Sequence, residues 1–497
     1  MERHYKKIFV ATVIIKLILA YFIPITSDEA YFLTWGENLD VNYYDHPPMV
    51  GWIVYLFSLL GNHISFSRLF PIICGIIVAI AIYLIVRDVF KDETKARLIA
   101  LIYLAAPLNI LFVLISTDTP LFLFVFLSGV FFYYGINLKN SVSLLVSGIF
   151  LGLALLSKYF AGLLLIAFAC YLILRRNRDA IKNGLILVSG AAPFVLLHFY
   201  WSYNNCWTNL MFNVFSRNKS QSLGLGTFFS FLGFQVYLAT PWLLYYLAKN
   251  TKRIKAGIRR DNNLFFHLSF IPICILGILS FFDASLHWSI SFYPFLFLLL
   301  VYLEGAHLLK IIKYSAIFSL IHVIIIVAAL SLPVETFKKH EYYRDIVMGF
   351  YGDEIYENLK KHNSKYVLGT PGYTTAALMT YHSDQRFIVF MDYDRNGRND
   401  DKVTDFRSLD GRNILILSTL KVKERQHGEY KDYFERVAVD TINVRGYDYT
   451  IVLGEGFKYE KYRNGYLTKI LQDCYDIPKL LPVGDCFFCD RYFPEQD

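Results

Sequence analysis

The sequence predicts a polytopic α-helical membrane protein, with about eleven transmembrane helices, followed by an extracytoplasmic α/β domain. Three observations predict it. Apolar runs of near-spanning length recur at 8–25, 67–86, 98–115, 119–136, 142–157, 159–174, 183–201, 223–247, 264–282, 289–306 and 314–332. Charge divides the chain unevenly: residues 1–333 carry 25 Lys+Arg against 14 Asp+Glu, and residues 334–497 carry 24 against 27. The last third loses the long apolar runs and alternates amphipathic stretches with short β-rich ones.

Composition agrees with this division. Hydrophobic residues make up 55% of the 497 and charged residues only 18%, too few for a chain of this length to be entirely water-exposed. The net charge of +8 does not point to nucleic acid, because the basic excess lies beside apolar runs, where it sets topology. With the N-terminus in the cytoplasm, the inner segments hold 20 Lys+Arg and the outer ones only Lys158, Arg217 and Lys219. An odd number of spans then puts residues 334–497 outside, giving two domains: 1–333 in the membrane and 334–497 beyond it. The apolar run after Lys7 lacks a small-residue cleavage site and reads as an uncleaved first span.

Taken in order, the first span carries Lys16 midway, for which snorkelling to headgroups is the default. A polar segment follows, from Thr26 to Pro48, with Asp28, Glu29, Asp40, Asp45 and His46 and no Lys or Arg as far as Phe66. Carboxylates without cations beside a membrane need a polar lumen, a metal or a substrate to face. The run at 49–60 is too short to span and suits an interfacial helix. The charge count assigns to the same outer side Asp118 in Thr117-Asp118-Thr119-Pro120, Lys158 in Ser157-Lys158-Tyr159, the Arg217 loop, Asp283 and His287-Trp288. Each has a plainer reading as well. Asp28-Glu29 and Asp118 are placed to cap helices, Asp45-His46-Pro47-Pro48 could be a rigid turn, Lys158 could snorkel, and His287-Trp288 could anchor at the interface.

The tail predicts a helix near 341–362, a strand at 366–368, a helix through 374–381, strands at 387–391 and 414–417, and β-rich runs at 436–444 and 447–453. Alternation of this kind predicts a mostly parallel sheet. Asp392-Tyr-Asp394-Arg-Asn396-Gly397-Arg-Asn-Asp400 matches much of a calcium loop, but Val403 stands where the closing Glu belongs, so a polar turn is expected. Cys74, Cys170 and Cys274 read as core residues, and Cys474, Cys486 and Cys489 offer one disulfide if the tail is extracytoplasmic.

Ser27-Asp-Glu-Ala-Tyr-Phe32, Tyr43-Tyr-Asp-His-Pro-Pro-Met-Val-Gly-Trp52, Thr117-Asp-Thr-Pro120, Leu156-Ser-Lys-Tyr159 and His287-Trp-(x)4-Tyr-Pro294 resemble the bacterial protein-mannosyltransferase-like glycosyltransferases. These are polyprenyl-phosphate-sugar-dependent membrane enzymes of the GT-C class, related to the aminoarabinose transferase of lipid A. The resemblance implies a GT-C-like fold and a bacterial inner-membrane location. It also implies transfer of a monosaccharide, with inversion, from a polyprenyl-phosphate donor to lipid A, a surface glycan or a protein at the periplasmic face. Asp28 would be the catalytic base. Glu29, Asp45, His46, Asp118, Lys158, Arg217 and His287 would bind substrate, with Lys158 and Arg217 on the phosphate. Asp45-His46 aligns with an acidic–basic pair whose acid is linked to a metal, so Asp45 is the candidate ligand should a divalent metal serve as cofactor. His46 replaces the family's Lys and makes any phosphate contact pH-dependent. Membrane lipids are expected partners and nucleic acid is not. The rival class is a transporter or flippase of lipid-linked sugars, against which stand the clustering of polar residues at one face and the lack of a repeat.

Overall fold

The computed structural model describes residues 2–174, 179–213, 224–261, 263–282, 285–419, 424–478, 480–482 and 484–494. The chain forms two compact units. One comprises Met1–Ile23, Pro47–His198 and Ser220–Leu330; the other comprises Pro24–His46, Phe199–Lys219 and Ser331–Asp497.

The first unit is helical, and each of the eleven apolar runs contains helix. Five helices are long and apolar enough to cross a membrane: Ile64–Phe90, Asp118–Asn137, Ala180–Tyr203, Leu264–Phe282 and Gly305–Ser331. Counting two broken helix pairs as spans raises this to seven among the described residues. The remaining runs give shorter helices, and the breaks have local causes. The run at 98–115 stops at Ala105 because Pro107 forces Ala106 into extended backbone (φ −69°, ψ 145°). The run at 289–306 is wound partly as 3-10 helix, at Leu286–Phe292 and again at Leu299–Tyr302.

Close packing within this unit relies on small residues. A side chain at Gly148 would meet the Leu187 carbonyl, and one at Gly190 the Leu145 carbonyl, so these two helices touch backbone to backbone. Ser128 and Ser147 exchange hydroxyl-to-carbonyl bonds of 2.9 and 2.8 Å between adjacent helices. Lys16 does not snorkel. Its Nζ is buried, 3.1 Å from Asn109 Oδ1 and 3.5 Å from the Pro71 carbonyl.

The second unit is built on a five-stranded sheet: β1 (Val367–Thr370), β2 (Ile388–Val389), β3 (Ile414–Ser418), β4 (Phe434–Val444) and β5 (Tyr447–Phe457), in the order β2-β1-β3-β5-β4. Pairings β1–β2 and β1–β3 are parallel; β3–β5 and β4–β5 are antiparallel. The expectation of a mostly parallel sheet fails here for a reason visible in the sequence. Arg445 and Gly446 both have positive φ (52° and 75°), the two-residue turn that joins adjacent antiparallel strands. The predicted helices appear as Tyr343–Leu359 and Tyr373–Ser383. The polar segment belongs to this unit too, as the helix Ser27–Glu37 packed against Tyr373–Ser383. The disulfide joins Cys486 to Cys206, a residue outside the expected set, rather than to Cys474 or Cys489.

Candidate active site

In the second unit, the helix Ser27–Glu37 starts at a capping box. Thr26 Oγ1 accepts from the Glu29 N–H, and Glu29 Oε2 accepts from the Thr26 N–H and hydroxyl at 3.2 and 3.0 Å. Glu29 is buried and its carboxylate serves this cap. Asp28, in the same first turn, is exposed. One residue of the pair therefore starts the helix and the other meets solvent.

Asp45 is buried, and the groups that act most on its carboxyl among the described residues are neutral donors and the Asp28 carboxylate. The Tyr31 hydroxyl donates to its Oδ1 at 3.4 Å, and the Gly397 N–H and its own N–H bond it as well. Burial nonetheless outweighs these donors and, with help from the Asp28 charge, lifts its carboxyl to about 7. Asn213 Nδ2 holds the Asp45 carbonyl at 3.1 Å, and Asn209 Nδ2 holds that of Tyr43 at 2.7 Å. His46 is half-buried, its ring 6.2 Å from that of Trp35. Asp40 is engaged by Lys402 and by Trp201 Nε1.

The calcium-loop-like segment supplies the Gly397 donor. Its cation is internal. The Arg398 guanidinium is buried and bonds the Asp392 and Asp394 carbonyls (2.8 and 3.0 Å) and both Asp401 carboxylate oxygens (2.7 and 2.8 Å). Gly397 is obligatory there, since its φ is +67° and a Cβ would strike the Tyr373 ring. Tyr373, in edge contact with Tyr31, has its hydroxyl raised above the ordinary range, first by burial and then by Asp45, Asp28, Asp394 and Asp392. Those four carboxylates thus converge on one tyrosine. Tyr31, Tyr373 and Gly397 were not foreseen as site residues; the acidic pattern at 392–400, expected to be a polar turn, was the signal that could have found them.

In the first unit, three separated motifs meet. Lys158 Nζ lies 2.9 and 2.8 Å from the two Asp118 oxygens, both side chains nearly buried, and His287 Nε2 lies 3.5 Å from Asp118 Oδ2. The helix begins at Asp118 with no side-chain cap, so its carboxylate serves Lys158 instead of the helix end. His287 is half-exposed. Arg217 and Asp283 lie outside the described residues. Among the described residues, no group of three or more His, Cys, Asp and Glu is arranged to hold a metal.

Residues 45–202 match the family model described as dolichyl-phosphate-mannose-protein mannosyltransferase. Among curated proteins, the lipid A galacturonosyltransferase RgtD of Rhizobium johnstonii is 29% identical over 179 residues, 35% of this chain. That match spans 38% of the relative's own length. Among solved structures, ArnT from Cupriavidus metallidurans in the apo state matches with a TM-score of 0.64 over 91% of this chain and 98% of that one, at 12% identity. The same protein bound to undecaprenyl phosphate matches equally well, with a TM-score of 0.64. The matched segment and the curated relative each cover about a third of this chain, and the solved structures share its fold over most of its length.

Proposed function

We propose that the protein is an inner-membrane glycosyltransferase. It moves a monosaccharide from a polyprenyl-phosphate carrier to an envelope acceptor, for which lipid A is favoured, at the periplasmic face and with inversion. The observation that carries this reading is the family match over residues 45–202, which takes in Asp45, His46, Asp118 and Lys158. The name of the curated relative supports lipid A as acceptor, and the ArnT complex supports a polyprenyl-phosphate carrier. A disulfide in the second unit suits an oxidising compartment and supports its periplasmic location.

Roles follow from chemistry, cluster by cluster. Asp28 is the general base: its exposed carboxylate is open to an acceptor hydroxyl. The acceptor oxygen attacks the anomeric carbon, its proton passes to Asp28, the carbon–oxygen bond to the phosphate breaks, and the lipid phosphate departs. Direct displacement inverts the anomeric centre. Asp45, framed by Tyr31 and Gly397, is proposed to bind the donor or, should a divalent ion be used, to contribute a ligand. In the first unit, His287 presents a ring nitrogen steered by Asp118, and Lys158 balances the Asp118 charge. That trio is the proposed phosphate-recognition group, since developing phosphate charge needs fixed donors; Arg217, the other cation expected from the sequence, lies outside the described residues.

The test uses purified protein in lipid nanodiscs with a polyprenyl-phosphate-sugar pool and lipid A, read by mass spectrometry of the lipid. Wild type should add one sugar and Asp28→Asn should fold yet add none. Full transfer by Asp28→Asn would sink the assignment of the base. Sugar-lipid movement across the bilayer without any glycosylated product would favour the transporter reading.

A further inference from the structure

Cys486-Phe-Phe-Cys489 brings a third sulfur to the disulfide. Cys489 Sγ lies 3.3 Å from Cys486 Sγ, which is itself bonded to Cys206. Cys206 and Cys486 are buried, whereas Cys489 is half-buried and carries a thiol. Two residues between cysteines is the spacing at which a dithiol readily closes and at which thiols act in exchange. The partner side of the bridge carries a further sign. Cys206 and Trp207 both hold left-handed backbone, φ 56° and 52°, a conformation that costs a non-glycine residue energy and persists only when the surroundings impose it. The turn is held on one side by its own helix, through the Trp207 N–H to the Ser202 carbonyl (2.8 Å), and on the other by the C-terminal stretch, through the bridge itself, the Cys206 N–H to the Asp485 carbonyl (3.3 Å) and Trp207 Nε1 to the Pro482 carbonyl (2.7 Å).

We propose that Cys489 is the exchange thiol of a three-cysteine site, which moves the bridge from Cys206–Cys486 to Cys486–Cys489. The Cys489 thiolate attacks Cys486 Sγ, the Cys486–Cys489 bond forms, the Cys206–Cys486 bond breaks, and Cys206 leaves as a thiolate that takes up the proton Cys489 released. No oxidant or reductant is consumed. The two bridges differ in what they fasten. The first ties the segment after Phe199 to the C-terminal stretch; the second removes that covalent tie and leaves the Cys206–Trp207 turn held by hydrogen bonds alone. Asn209 and Asn213, which hold the Tyr43 and Asp45 carbonyls, stand three and seven residues beyond Cys206. Exchange therefore loosens the support of Asp45, whatever reaction Asp45 serves.

The experiment is thiol trapping on the full chain in nanodiscs. The protein is held at about pH 5 or about pH 8.5, where the thiolate fraction differs strongly, then acid-quenched, unfolded in N-ethylmaleimide and mapped by peptide mass spectrometry. Two species are expected: Cys489 labelled with Cys206–Cys486 linked, and Cys206 labelled with Cys486–Cys489 linked, the two approaching their fixed ratio faster at the higher pH because the rate follows the thiolate. In Cys489→Ser, label on Cys206 should vanish while the first bridge persists. In Cys206→Ser treated with oxidised glutathione, which is reduced to two glutathione thiols as the bridge forms, Cys486 and Cys489 should link to each other and escape label. Label confined to Cys489 in wild type at both pH values overturns the proposal, as does label on both Cys486 and Cys489 in Cys206→Ser. Because the readout is sulfur connectivity, it stands or falls separately from sugar transfer.

Discussion

Two buried aspartates, one in each unit, are handled in opposite ways. Asp118 meets Lys158 at under 3 Å and His287 beside it, so its charge is balanced where it sits. Asp45 receives a tyrosine hydroxyl and backbone N–H groups, none of them charged, and its carboxyl is lifted to about 7. The first is a settled ion pair; the second is a carboxyl poised to exchange a proton near neutrality. Burial alone does not decide what a carboxylate does. The partners decide, and Asp28, exposed to solvent, marks the third case.

The largest effect should come from that third case. Asp28→Asn is expected to lower transfer by about 10²–10⁴-fold, the usual contribution of a general base, with thermal unfolding in nanodiscs unchanged because an exposed side chain is altered. Equal loss of activity and stability would mean that Asp28 is structural. Next comes the ion pair. Lys158→Ala or Asp118→Ala should each cost about 3–5 kcal/mol of stability by stranding a buried charge, whereas Asp118→Leu combined with Lys158→Met should recover most of it. Additive losses in a double-mutant cycle would show that the two do not interact.

The Asp45 prediction is one of pH. A carboxyl raised in the folded state binds a proton that the unfolded chain has released, so its contribution is fully present below about pH 4 and is lost as pH rises through about 7. Asp45→Asn should flatten the decline in stability over that window, by a few kcal/mol or less. An unchanged pH profile in the variant would show that Asp45 is not the group titrating. Smallest is the cap: Glu29→Ala should cost about 0.5–2 kcal/mol and leave transfer nearly intact. A collapse of activity at unchanged stability would instead give Glu29 a role in substrate binding.

Much of the fold was legible because apolar length and charge asymmetry are properties of continuous sequence. Helix interruptions at Pro107 and around Leu299 were less so, since a hydrophobic run reads the same whether the backbone is α, 3-10 or broken. The candidate residues could be named from the carboxylates and the cations, but not their pairings. Asp118 and Lys158 are 40 residues apart, and nothing local to either announces the other. Lys16 makes the same point: its companion Asn109 lies 93 positions away. Cys206 was passed over because its surroundings are aromatic and polar rather than cysteine-rich, and the sheet was misjudged because a turn at Arg445-Gly446 outweighs the alternation before it.

The loop at 392–401 is pinned from within by a guanidinium, which differs from a bound ion in what it demands of the surroundings. A bound ion equilibrates with the medium and can be diluted away or removed by a chelator. Arg398 is part of the chain, present at one equivalent under every condition and always protonated. The Gly397 N–H that faces Asp45 therefore stands beside a clamp that the chain itself supplies, with no uptake step between folding and the finished loop.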